Sequence, residues 1–516
     1  MSAPGAVRPG WTDARALALV LLIGLLVRLP TLEEPPGCDQ AVFTCIGQGI
    51  LRGELPPRDL FDNKPPIYDL LWAPAGLFAS TGLSFAALAE LLAATLASAC
   101  LFAAVRPFLG RAGSTAAALL YTLHAGGFAF GGWWTRAYPE ALLDVPLAAA
   151  ATLLTRPVGG LPTRAVAGAL LGGALWLKPS VLPMILLLAA VPAPAGAGYL
   201  AGLAWAGAGL AAAAAAPLAL LAALGLLGES WRAFVGFNAE MLVSHGAVSP
   251  VPSEWLSVVF PFATYLTALY AWSVVAVASR GPLAPIVRLP LLWWALTVAS
   301  AVAQRKLFAA HYLGITAPLA WLAAVGWRRI DERMGRRAAL ALLAASLAPW
   351  AIATVQFGRD AGYAGRLSGR LDRAAFQDGF HWPPLGYSIA HDREAARLVR
   401  QHTPPGSRIV VFGARAGVYL WSGRPPGTRF LFNFPLVLPG GGPIARSYRE
   451  QFLAGLRTRP PAMILVPEED VGIYEPLPSL ELARRWPELM AILERQYRPG
   501  PRSPGYSTWV PAATTP

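Results

Sequence analysis

The sequence predicts a polytopic α-helical membrane protein with a small α/β domain at its C-terminal end. Three observations predict it. Of 516 residues, 55% are hydrophobic and only 14% charged, whereas a soluble protein carries roughly 25% charged residues. The missing charge leaves alanine- and leucine-rich runs long enough to cross a bilayer, which takes about 20 apolar residues each. From residue 358 the composition turns ordinary, and strand and helix patterns alternate.

The elements follow in chain order. Residues 1–13 are polar and carry Arg8, with Arg15 just beyond, and residues 14–30 are apolar. No small-residue cleavage site precedes Glu33, so this run reads as a retained helix rather than a signal peptide. Basic residues before it and acidic residues after it place the N-terminus in the cytoplasm and residues 31–66 outside. Ala41 to Leu51 has helical apolar spacing and reads as a short helix along the membrane surface. Pro56-Pro57 breaks the chain, and Lys64-Pro65-Pro66 introduces a second amphipathic helix over 67–79. Further spans are expected over 84–105, 113–132, 139–155, 163–178, 179–194, 197–226, 256–279, 287–303, 308–326 and 337–356. With the first, that makes about eleven crossings. An odd count puts the tail outside. The expected domains are a transmembrane domain over 1–357, with an outer loop at 31–82, and a soluble tail over 358–516.

In the tail, Arg408-Ile-Val-Val-Phe-Gly413 reads as a strand ending in a glycine turn, after a helix from Asp392 to His402 and the turn Pro404-Pro405-Gly406. Ala462 to Val466 reads as a second strand, after a helix over 446–457. There is no internal repeat and no nucleotide-binding glycine motif, and Gly440-Gly441-Gly442 reads as a plain loop.

The net charge of +13 does not point to nucleic acid. Arg328, Arg329, Arg333, Arg336 and Arg337 crowd one short loop, as the positive-inside rule expects of a cytoplasmic loop. No aromatic-basic platform for a single strand accompanies them. The three cysteines suggest neither a disulfide nor a zinc site. Cys38 and Cys45, if helical, are about 10 Å apart along the axis, and Cys100 sits in an apolar run.

The chemistry concentrates in residues 37–69, where Asp39, Asp59, Asp62 and Lys64 gather directly after the first span. Asp39 alone has a plain structural use as a helix N-cap, and Asp62 has one in a turn. The combination says more. Ionisable residues recur at the outer ends of separate spans: Asp39; Lys64; Arg136 and Glu140; Lys178; Glu240 and His245; Arg305, Lys306 and His311. Charge at membrane depth is costly and tends to face a cavity or a partner. Lys178 can also snorkel to the interface, and His311 can pair with a neighbouring helix. Several cations beside apolar helices suit a lipid phosphate.

Asp39-Gln40, Gly53, Asp59, Asp62-Asn63-Lys64-Pro65-Pro66 and Tyr68 together resemble the first outer loop of the GT-C glycosyltransferases, which include protein O-mannosyltransferases and the lipid A aminoarabinose transferase. Arg136-Ala-Tyr-Pro-Glu140 resembles their second outer segment, and Arg305 to Pro318, with His311-Tyr312, a late motif near the donor lipid. The stretch from Gly406 to Pro426 resembles the outer tail domain of bacterial members. The resemblance implies a glycosyltransferase of a bacterial inner membrane whose donor is a sugar on a polyprenyl phosphate. The acceptor would be an extracytoplasmic lipid, glycan or protein. Asp39 falls at the catalytic position and Lys64 near the donor phosphate, with Arg305 and His311 expected at the same phosphate. Asp62, Arg136, Glu140 and Lys178 would bind the acceptor or organise the site. The family commonly has Asp-Glu where this chain has Asp39-Gln40.

The chemistry agrees independently. A sugar phosphate leaves as an anion that cations stabilise, and a carboxylate can take the proton of the attacking group. No cofactor is required, and a divalent metal is possible but not implied. The alternatives are a lipid or sugar transporter, against which stands the lack of symmetry between chain halves, and an inactive scaffold. An enzyme needs its charged residues to line a cavity.

The arginine distribution sets an expected topology. Reporter fusions placed after Phe357 should read as external, and a cytoplasmic signal there would overturn it.

Overall fold

The computed structural model describes residues 11–78, 81–126, 132–156, 160–191, 198–244, 264–278, 285–304, 309–471 and 476–512. It is mostly helical and divides into two compact units. The first comprises Met1–Leu32, Ala86–Leu220 and Val248–Asp360, and the second Glu33–Phe85, Leu221–Ala247 and Ala361–Pro516. The loop after the first apolar helix and a segment near residue 230 therefore group with the tail.

The first unit holds the apolar helices. Among the described residues, five are long and apolar enough to cross a membrane: Thr12–Glu33, Phe85–His124, Tyr199–Ala223, Ile286–Ala303 and Arg336–Asp360. The spans expected over 84–105 and 113–132 correspond to two helices within Phe85–His124, separated by a break at Gly110, with φ 65°, just after Pro107. Pro107 cannot donate to the preceding turn, and the positive φ suits glycine. The run expected as 179–194 opens as a 3₁₀ helix, Pro179–Ile185, because Pro179 and Pro183 interrupt the α-helical ladder. Shorter apolar helices cover Leu161–Leu177 and Thr267–Ala278.

The arginine-rich segment expected as a loop is mostly helix. Thr316–Met334 carries Arg328, Arg329 and Arg333, and only Gly335, at φ 83°, separates it from Arg336–Ser346. Asp331 explains the difference: Arg328 and Arg336 both reach it at 2.9 Å, and Arg328 also reaches Glu332 one turn on at 2.9 Å.

Glycines set the close approaches in this unit. A Cβ on Gly168 would lie 1.9 Å from Ala206 O, one on Gly172 2.5 Å from Leu210 O, and one on Gly209 1.9 Å from Ala165 O. Helices that lack a hydrophobic drive toward each other gain from such contact.

The second unit is built around a four-stranded sheet. β1 (His381–Trp382) and β2 (Tyr387–Ser388) form a small separate pair. β3 (Ile409–Val411), β4 (Met463–Pro467), β5 (Tyr497–Pro499) and β6 (Tyr506–Pro511) form the sheet in the order β3-β4-β6-β5. β3 and β4 run parallel, and the other pairs antiparallel. Both expected strands are present, and the continuous burial of β4 matches a strand covered on both faces. The expected tail helices are Ile389–His402, capped by the Ser388 side chain at 3.4 Å, and Pro443–Thr458.

Distant stretches complete this core. Phe61, Ala233, Phe237 and Met241 are buried with Phe412, Tyr448, Phe452 and Trp486. Glu240 accepts the backbone N–H groups of Ile444 at 2.8 Å and Ala445 at 3.0 Å, closing the N-terminus of Pro443–Thr458.

The helix expected to start at Ala41 runs Cys38–Leu51, with Gln40 to Gly47 buried inside this unit. It is a core element rather than an amphipathic surface helix. The helix expected over 67–79 splits into Pro66–Leu70 and Ala75–Phe78, since Pro74 has no N–H to continue the first piece.

Gly168→Leu should lower stability by about 1–3 kcal/mol through overpacking, seen as a lower Tm in detergent. Gly173→Leu, where a Cβ meets nothing within 4 Å, should leave Tm unchanged. Equal shifts would overturn the packing account.

Candidate functional site

In the second unit, the residues of the loop after the first apolar helix converge on Lys64. Its Nζ lies 3.5 Å from Asp39 Oδ2 and 3.6 Å from Asp62 Oδ1, and 4.5 Å from the centre of the Phe43 ring. Asp39 sits in the first turn of Cys38–Leu51. Gly37 is the N-cap and no side chain caps that helix, so Asp39 is free of the capping use the sequence allowed. Its side chain is 36% exposed, whereas that of Asp62 is fully buried. Asp39 is therefore the carboxylate of the pair that reaches solvent.

The turn that carries Lys64 is fixed from both sides. Asn63 N donates to Asp62 Oδ1 at 2.7 Å. The Asn63 side chain donates to Asn238 Oδ1 at 3.0 Å, and Asn238 donates back to Asn63 O at 2.7 Å. Phe61 N donates to Arg429 O at 2.7 Å. Asp59 is a local clamp: it accepts from Leu55 N at 2.9 Å and from the Arg58 guanidinium.

A further carboxylate, Asp69, is wholly buried beside Asp62, and the two carboxyl groups share a hydrogen bond. Burial pushes the Asp69 carboxyl well up, and the neighbouring Asp62 adds to it. Burial likewise raises Asp62, with Lys64 opposing and Asp39 adding. Lys64 responds in the other direction: burial works against its charge, but Asp62 and then Asp39 outweigh it and raise its ammonium. Gln40, beside Asp39, is 0% exposed. The neutral amide at this position spares the unit a further buried carboxylate.

The first unit holds polar groupings of its own. Glu140, in the first turn of Pro139–Thr155, accepts a close hydrogen bond from Lys178 and lies 3.8 Å from His311 Nε2. Pro139 opens that helix and its dipole favours an acid there. Lys178 stands at the C-terminal end of Leu161–Leu177, where a cation is favoured. Arg136, which the sequence places beside Glu140, instead pairs with Glu90 at 2.5 Å and donates to Gly126 O at 2.8 Å. Asp144 accepts from Tyr121 at 2.9 Å.

The structure thus gathers Asp39, Asp62 and Lys64 in one unit and Glu140, Lys178 and His311 in the other. Arg305, Lys306 and His245 lie outside the described residues. Sequence reasoning missed Asp69, Glu90, Asp144 and Asn238. Glu90 was detectable as the lone acid within an apolar span, and Asp144 as an acid one helical turn beyond Glu140. Asp69 had only its apolar neighbours as a signal, and Asn238 had none. Among the described residues, no group of three or more His, Cys, Asp or Glu side chains is arranged to hold a metal ion.

A chain of membrane-length helices with a small α/β tail has the fold seen in two solved membrane proteins, ArnT and AglB. Solved structures show the likeness over nearly the whole length. ArnT from Cupriavidus metallidurans in the apo state matches with a TM-score of 0.60 at 15% identity, covering 98% of this chain and 99% of that one. The same ArnT bound to undecaprenyl phosphate gives 0.58 at 14% identity, covering 96% and 98%. The oligosaccharyltransferase AglB from Archaeoglobus fulgidus, in complex with an inhibitory peptide and a dolichol-phosphate, gives 0.53 at 12% identity, covering 98% and 75%. No family model matches the chain, and no curated protein matches its sequence. The likeness is therefore one of fold.

The buried acids give a pH test. A folded-state carboxyl raised above its unfolded value loses stability as pH rises through the raised value, because the unfolded chain releases that proton more easily. Asp69→Asn removes this loss. The variant should gain Tm over the parent at pH 8, with the gain shrinking toward pH 5. A pH-independent difference would show that Asp69 titrates normally.

Proposed function

We propose that the protein is a membrane glycosyltransferase that moves a sugar from a polyprenyl-phosphate-linked donor to an extracytoplasmic acceptor. The observation that carries this reading is the solvent-reaching Asp39 carboxylate 3.5 Å from the Lys64 ammonium, in a chain with the fold of ArnT and AglB. Asp39 takes the proton of the attacking hydroxyl or amine as that atom bonds to the anomeric carbon. The bond from that carbon to the phosphate oxygen breaks, and the polyprenyl phosphate leaves with the electron pair. Lys64 has three N–H donors and offsets the charge that develops on the leaving phosphate. Asp62 and Asn63 hold Lys64 for this use. Within the first unit, Glu140 is held by Lys178 and Arg136 by Glu90, so the expected organising residues are themselves paired.

No step is routed through a metal ion. The site would face the outside of a bacterial inner membrane, with the N-terminus in the cytoplasm and the tail outside.

The test is transfer by the purified full-length protein, offered a panel of radiolabelled polyprenyl-phosphate sugars and envelope acceptors. Asp39→Asn keeps shape and, as no helix cap is lost, should express normally. Loss of one general base costs roughly 100- to 10,000-fold. Near-native turnover in this variant would remove Asp39 from the mechanism.

A further inference from the structure

The second unit contains a buried polar network that the proposed step does not use. Its centre is Arg415, 4% exposed, between β3 and the helix Gly417–Ser422. Arg415 Nη1 lies 3.5 Å from Asp392 Oδ1, Nη2 donates to Gly386 O, and the guanidinium lies 4.4 Å from the centre of the Tyr387 ring. Tyr506 donates to the same Asp392 oxygen at 2.5 Å. Next to Arg415, Ala414 N donates to Asp470 Oδ2 at 3.4 Å, and Asp470 accepts from Ser479 N at 2.9 Å and Ser479 Oγ at 2.6 Å. Asp392 is 0% exposed, so the pair is sheltered from solvent screening.

The residues on either side of Arg415 face the helix that carries Asp39. Ala414 O accepts from the Cys38 thiol at 3.2 Å, and Ala416 O from the Cys45 thiol at 3.6 Å. Cys38 and Cys45 lie seven residues apart, about two helical turns, and so share one face. Burial and then Asp39 push the Cys38 thiol up, and burial does the same for Cys45, so both are protonated donors. Thiols are weak donors. Where the first turn of the helix rests is therefore set by where the strap 414–416 is held, more than by the strength of the two bonds. Cys38 is the residue immediately before Asp39.

We propose that Arg415 is a positioning residue for Asp39: its pairing with Asp392 fixes the strap on which the Asp39 helix rests. The tail then takes part in the reaction without touching substrate. This rests on the reading of Asp39 as the base.

The test uses the full-length protein and the transfer assay. Arg415→Lys keeps the charge but loses the planar fork that serves Asp392 and Gly386 together. A misplacement near 1 Å can cost about 100-fold. The variant should lose roughly 10- to 100-fold in kcat, with donor KM within about twofold of the parent and Tm little changed. In an Asp39→Asn background, Arg415→Lys should cost nothing further, because it acts through Asp39. A merely structural role predicts the opposite: a loss that follows yield and Tm and multiplies with that of Asp39→Asn. That pattern, or unchanged kcat, overturns the proposal. If Arg415→Lys does not reach the membrane, Cys38→Ala cuts the seat from the other side and should give the same kcat-specific, non-multiplying loss. Near-native turnover in Asp39→Asn alone would instead remove the reading of the site, whatever Arg415 does.

Discussion

Lys64 is one cation among carboxylates of unlike exposure, and the arrangement of the second unit around it follows from that imbalance. Asp62 and Asp69 are wholly buried, so each resists ionisation. A buried acid without a cation nearby is costly, and Lys64 supplies the offset. Its side chain stays a quarter exposed, and its second contact is the more open Asp39. The ion pair thus has a sheltered side that anchors it and an open side that can exchange partners. An exchange on the open side disturbs the buried carboxyl groups least.

Holding a charge at that boundary takes a rigid backbone, and the unit recruits it from three parts of the chain. Asn238 reads both the side chain and the carbonyl of Asn63. Phe61 enters a ring cluster with Phe237, Phe430 and Tyr448, at centroid distances of 5.6, 5.6 and 5.0 Å. Phe61 and Lys64 are three residues apart, so fixing the ring limits how far the ammonium can wander. Offset and edge-on aromatic packing of this kind is worth about 0.5–1.5 kcal/mol per pair beyond burial. Here its effect is geometric precision as much as stability.

What could be read from the sequence was what lies close along it. Asp39, Asp62 and Lys64 fall within one stretch of chain, so their meeting at Lys64 was legible. The strands at 408–413 and 462–466 were legible from apolar runs bounded by turn residues. Partners set by packing were not. Arg136 has Glu140 four residues away, a natural helical partner, yet its carboxylate is Glu90, 46 residues back. The helix Cys38–Leu51 has the apolar spacing of a surface helix, and its burial, with Trp72 O 2.1 Å from where a Gly47 Cβ would stand, shows that it is enclosed. The arginine cluster near 328–337 misled in another way. Charge density suggested a loop, while Asp331 neutralises enough of it for the helix to run on.

The capping of Pro443–Thr458 by Glu240 has a consequence for modularity. The tail looks like a separable soluble domain, with its own sheet and helices. Yet a helix end within it is closed by an acid from more than 200 residues earlier, and Phe61, Phe237 and Met241 fill its interior. Excised at residue 361, it would expose an open hydrophobic socket and unsatisfied amides together. The tail is therefore not a unit that evolution or an engineer could graft whole onto another membrane domain. Any exchange must carry the stretch around Phe61 and the segment around Asn238 with it.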